Sequence, residues 1–183
     1  MEAHGIKVNR KHYKNSSYKV GGILVEDHHF CTPFRGNKYL KRFERLLESL
    51  LLDENTLTPL ESGMWRPSSL FTALFLAEHA YTHFLHEGLI FRHVTDGQMF
   101  RRAHVDDVDW ARFDAVCKEY GFTKFMTSLE YVGKFILGGR FFFDLSGSDR
   151  KLLEDINKGP DLYSGLRGWK EKVAIARNTI HAA

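Results

Sequence analysis

Cysteine is scarce in this chain: Cys31 and Cys117 are the only two among 183 residues. Two cysteines cannot build a disulfide framework, and without a Cys-x-x-Cys pair a cysteine-built zinc site is excluded. Long apolar runs are also missing. None approaches the roughly 18 residues that a membrane-spanning helix needs, and the start, Met1-Glu-Ala-His-Gly-Ile-Lys, has no apolar signal core. A cytoplasmic protein with no membrane contact is the expectation. One-sided charge is lacking too: 26 Lys and Arg stand against 23 Asp and Glu, a net +3 that carries no strong nucleic-acid signal. Three catalytic devices are absent, namely the Gly-x-x-x-x-Gly-Lys-Ser/Thr phosphate loop, Gly-x-Gly-x-x-Gly and the Gly-x-Ser-x-Gly elbow.

What is abundant is aromatic carbon, with fifteen Phe, seven Tyr and three Trp in a chain long enough to bury a sizeable core. Its patterning is β first and α afterwards. Lys11–Val20 and Ile23-Leu24-Val25 flank Gly21-Gly22, a turn pair suited to the positive φ angles of a tight hairpin. Met1–His4 with Gly5 reads as a last helical turn and its terminating glycine. From Asn37 the apolar period becomes three and four, giving a helix over Asn37–Leu52. After a polar connector at Asp53–Pro67, helices are expected over Leu70–His86, Arg92–His104, Trp110–Tyr120, Thr123–Leu137 and Asp149–Asn157, the last capped by Ser148. A final helix is expected at Gly168–His181. Trp110, Phe113, Phe125, Leu129 and Val132 are expected at the centre of the helical core. The fold class is therefore α+β, mostly α: a hairpin over residues 1–36, then a helical array over 37–183.

Five stretches are candidates for chemistry. Ile23-Leu-Val-Glu26-Asp27-His28-His29 leads an apolar strand into acid and imidazole, with Glu26 and His28 on one face by alternation. A strand-end carboxylate is a natural Mg²⁺ ligand, although acids and His are also common where a strand enters solvent. His79, His83 and His86 lie four and three apart on one helix, a spacing that can chelate a transition metal or simply line a helix seam. Arg92, His93 and Asp96 put a cation, an imidazole and an acid on the next helix, as an ion pair or as a ligand-facing patch. Asp106-Asp107-Val108-Asp109 precedes Trp110 and reads as capping. Arg177 and His181 superficially resemble the pair of helical RNases, at a terminus where fraying is expected.

Taken together, these residues resemble a bacterial family of uncharacterised nucleotidyltransferase-like proteins. The resemblance runs from Lys11-His12-Tyr13 through Val25-Glu26-Asp27-His28 and Gly36-Asn37-Lys38. It continues in Leu76-Ala-Glu-His79 to Asp96, then Val108-Asp109-Trp110, Tyr120-Gly121-Phe122 and Leu137-Gly138. It implies a polymerase-β-like nucleotidyltransferase fold, in which two Mg²⁺ ions are held by an Asp-x-Asp after a Gly-Ser turn and by a third carboxylate on a later strand. Glu26 matches the place of that third carboxylate, here vestigial, and His28 the His two residues on. No Gly-Ser with Asp-x-Asp lies before Glu26, and Gly97 stands where the family usually has Trp. The resemblance thus implies the C-terminal portion of the family, truncated and inactive alone, its hairpin the remnant of a sheet. A complete member would use Mg²⁺ and bind nucleotide, whereas this chain is expected to hold no cofactor tightly. An exposed hairpin edge would suit a homodimer. A helical ligand- or protein-binding module, and a His-based metal protein, are the alternatives.

Overall fold

A computed structural model of the chain describes residues 5–11, 13, 15–32, 38–86, 88–138 and 145–158. The helix end at Met1–His4, the junction at Gly36-Asn37 and the final helix with Arg177 and His181 lie outside them. The chain divides into two compact units, Met1–Asp53 and Glu54–Ala183.

In the first unit, β1 (Asn15–Val20) and β2 (Ile23–His28) pair antiparallel, with Val20 opposite Ile23 and Asn15 opposite His28. Gly21 and Gly22 both take positive φ, +56° and +83°, as the mirror-image turns that match strand twist require. An isolated bridge adds Asn9 to β1 opposite Ser17 through two backbone hydrogen bonds of 2.8 and 2.9 Å. α1 (Lys38–Leu51) follows and buries Phe43, Leu47 and Leu50 on one face. Its Glu44 reaches back to the chain after β2. One carboxylate oxygen accepts from the Cys31 amide at 3.0 Å and the other from the Thr32 amide at 2.8 Å. The Ser16 hydroxyl meets His29 Nε2 at 2.9 Å.

The second unit opens where only a polar connector was expected. Thr58–Pro59 (β3) and Trp65–Arg66 (β4) form a two-rung antiparallel ladder. Strands of two residues are too short to show alternation, so composition alone hid them. Five helices follow: α2 (Ser69–His86), α3 (Phe91–Ala103), α4 (Trp110–Glu119), α5 (Thr123–Gly138) and α6 (Gly147–Lys158). Their caps are legible. Ser68 Oγ accepts from the Phe71 amide, and Asp109 accepts from the Arg112 amide at 2.9 Å. At α6 the cap is Ser146 rather than Ser148, because Ser146 and Asp149 bond each other reciprocally as a capping box.

One buried cluster joins α2, α3, α5 and α6 through Ala80, Phe84, Val94, Leu129, Val132 and Ile156, among others. Phe125 belongs to it, and Phe113 is buried on α4. Trp110 is not central. It is half-buried, edge-on to Phe113, with the Arg101 guanidinium 4.3 Å above its ring. A large amphipathic ring at the first residue of a helix serves as a wall that accepts a cation on its face. Cys117 is buried, and desolvation, with Asp114 nearby, pushes its thiol up to about 12. Cys31 is half-exposed.

Two helical glycines make opposite predictions. Gly97 on α3 would present a Cβ to open space, whereas at Gly133 on α5 a Cβ would stand 2.5 Å from Gln98 Cγ. Gly97→Ala is expected to stabilise by about 0.5–1 kcal/mol through helix propensity. Gly133→Ala gains the same propensity, but it must turn the Gln98 side chain aside, so it should be less stable than Gly97→Ala. Urea midpoints of the two variants decide this, and equal values would refute the close approach.

Candidate functional site

The expected site residues fall into both units. Glu26 and His28 project from the same face of β2, with His28 Nε2 3.6 Å from Glu26 Oε2, and both side chains are half-exposed or more. Asp27 alternates to the opposite face. The hairpin therefore presents a single carboxylate beside an imidazole.

In the helical unit, His79 and His83 sit one turn apart on α2, and a short connection through Gly88 brings α3 back alongside. That return places His93 against them. Ring centroids are 4.5 Å apart for His79 and His83, 5.5 Å for His79 and His93, and 4.3 Å for His83 and His93. One candidate ligand nitrogen from each residue lies within 4.8 Å of the others. Among the described residues the third imidazole of this group is His93, from the next helix. The side chain of His86 lies outside the described residues.

His93 has a structural task as well. It is the third residue of α3, and its Nδ1 accepts from the Ile90 amide at 3.3 Å, satisfying a donor at the helix start. Burial, then the neighbouring His83 and His79, push its pKa down to about 4, against the pull of Asp96. At neutral pH it is an uncharged ring. Arg92 and Asp96 flank it as an i,i+4 ion pair of 3.2 Å, with the Arg92 side chain 80% exposed. The pair is accessible to solvent and to ligand alike. Glu78, by contrast, is fully buried and accepts the Thr82 hydroxyl at 2.6 Å. Asp107 holds His104 at 2.9 Å and the Ser69 hydroxyl at 2.9 Å, fastening the start of α2 to the loop before α4.

On its other side His93 borders a cleft of about 420 Å³ between α2, α3, α4 and α5. Ala77, Val94 and Leu129 line it with apolar surface, and Arg101, Asp114 and Glu130 supply charge. Trp110 also lines it, and its indole Nε1 is buried without a hydrogen-bond partner among the described residues. The volume and the lining of apolar walls with a few polar groups are those of a small-molecule site. Sequence periodicity shows each helix face separately, so neither the cleft nor the Arg101–Trp110 stack could be found without the packing. The unusual density of His between residues 79 and 93 was the signal available.

No described helix is long and apolar enough to cross a membrane. No curated protein and no solved structure matches the chain. A family model described as an uncharacterised nucleotidyltransferase matches residues 1–133. That is well over half of the sequence, and it takes in the β2 carboxylate as well as the His79–His93 region: the chain belongs to the uncharacterised nucleotidyltransferase family.

Proposed function

We propose that this chain contributes the ligand-facing helical part of a nucleotidyltransferase-like protein and does not itself transfer nucleotide. The observation behind this is the face of β2. Two-metal nucleotidyl transfer needs several carboxylates converging on a pair of Mg²⁺ ions, which neutralise the triphosphate and activate the acceptor hydroxyl. Glu26 has His28 beside it and Asp27 directed to the other side. One exposed carboxylate and one imidazole do not fit two Mg²⁺ ions, and no chemical step is derived through them.

The binding role rests on the helical unit. The cleft beside His93 offers a cation stacked on Trp110 and an apolar floor, a chemistry suited to a planar ligand with polar edges such as a nucleotide base. Arg92 and Asp96 stand exposed near the start of α3, placed to meet a nucleotide or its acceptor. A second copy of the chain is a further partner, through the hairpin on which Ile23 and Leu24 are exposed.

Incubating the purified chain with Mg²⁺ and each labelled nucleoside triphosphate is expected to give no incorporation above blank, with Glu26→Gln indistinguishable. Incorporation that Glu26→Gln abolishes would overturn the reading. Equilibrium dialysis of the same nucleotides should show binding that Arg101→Ala weakens. Dialysis showing no nucleotide binding would remove the ligand role.

A further inference from the structure

We propose that His79, His83 and His93 form a binding site for a late first-row divalent metal ion, Zn²⁺ foremost, that clips the start of α3 to α2. The proposal does not rest on nucleotide chemistry, and of its three residues His93 also borders the cleft.

Three features carry it. First, the three rings converge from two helices, with candidate ligand nitrogens all within 4.8 Å of one another. Around a tetrahedral zinc with Zn–N bonds of about 2.0–2.1 Å, nitrogens stand roughly 3.3 Å apart, so modest ring rotations close the set. Second, the donors are all imidazoles. Mg²⁺ and Ca²⁺ demand oxygen, whereas imidazole suits zinc, nickel and copper. Third, two ligands share one helix face at an i,i+4 spacing and the third comes from the neighbouring helix, while His79 is solvent-exposed. Three protein ligands with one side open to water is the arrangement of an accessible zinc site rather than a closed structural one.

Loading has a definable cost. His93 accepts the Ile90 amide through Nδ1, so the neutral ring carries its proton on Nε2. Coordination through Nε2 moves that proton to Nδ1 and gives up the Ile90 contact, which at 3.3 Å is long. Arg92 and Asp96 on α3 face His93 electrostatically but are occupied with each other and supply no ligand.

The test is titration of the full, metal-stripped chain with Zn²⁺ by calorimetry, with Co²⁺ as a visible-absorption probe of tetrahedral geometry. A saturable, equimolar site is expected, with a raised thermal midpoint and no response to Mg²⁺. His79→Ala, at an exposed position, should keep the fold by circular dichroism and weaken Zn²⁺ by more than about tenfold, as should His83→Ala. His93→Ala should do the same. Absence of a saturable site, undiminished affinity in both His79→Ala and His83→Ala, or undiminished affinity in His93→Ala would each overturn the proposal.

Discussion

Leu129→Ala is expected to destabilise the helical unit by about 2–5 kcal/mol, the usual range for truncating a large aliphatic side chain in a packed core. Leu129 is 4% exposed and lies within the cluster built by α2, α3, α5 and α6. Phe125 precedes it and Val132 follows it on the same face of α5. Its removal leaves a hole between helices that cannot all close in at once, because each is held by a different part of the cluster. Urea unfolding followed by far-UV circular dichroism measures the loss. A change near zero would place Leu129 at a boundary that collapses freely, and the four-helix core would have to be redrawn.

The second large effect belongs to the other unit. Glu44→Ala should cost about 1–3 kcal/mol, since it removes the acceptor of the Cys31 and Thr32 amides and leaving the buried Thr32 group unpaired costs about that much. Thr32 is only 2% exposed, so water cannot easily replace the lost oxygen there. Both bonds are charge-assisted, which raises their worth above that of neutral pairs. Glu44→Gln is the informative companion. It retains one acceptor and should recover part of the loss, whereas a merely helical role for Glu44 would make the Gln and Ala variants alike. Amide hydrogen exchange at Cys31 and Thr32 locates the effect.

Local chemistry was readable from the sequence, and cross-element chemistry was not. Phe125, Leu129 and Val132 announce the buried face of α5 because spacing alone fixes which side they share. Asp109 announces its cap, and Gly21-Gly22 its turn, because each is a short-range backbone requirement. Two of the three expectations that needed revision involve either a very short element or a partner from elsewhere in the chain. β3 and β4 have two residues each. Trp110 reads as core until Arg101 is found above its ring. The turn at Gly88 also delivers His93 to His79 and His83, a meeting that no helical period announces. Ser148 against Ser146 is different, a matter of which of two nearby serines has the capping-box acid three residues on. Glu44 carries no sequence signal, because an acid on a helix is usually solvated and its amide partners precede α1.

The two thiols also give the molecule a pair of internal clocks. Each compact unit holds one cysteine, Cys31 in the first and Cys117 in the second. Only thiolate reacts with alkylating agents, and Cys117 is both enclosed and held far from ionisation, with its pKa near 12. Its modification must therefore wait for the α4–α5 region to open, while Cys31 stays in partial contact with solvent throughout. Mass spectrometry of a timed alkylation reads the first unit as a fast baseline and the second as a slow count of local openings. The breathing of the helical unit becomes measurable in the unmodified protein, without a dye or an engineered probe.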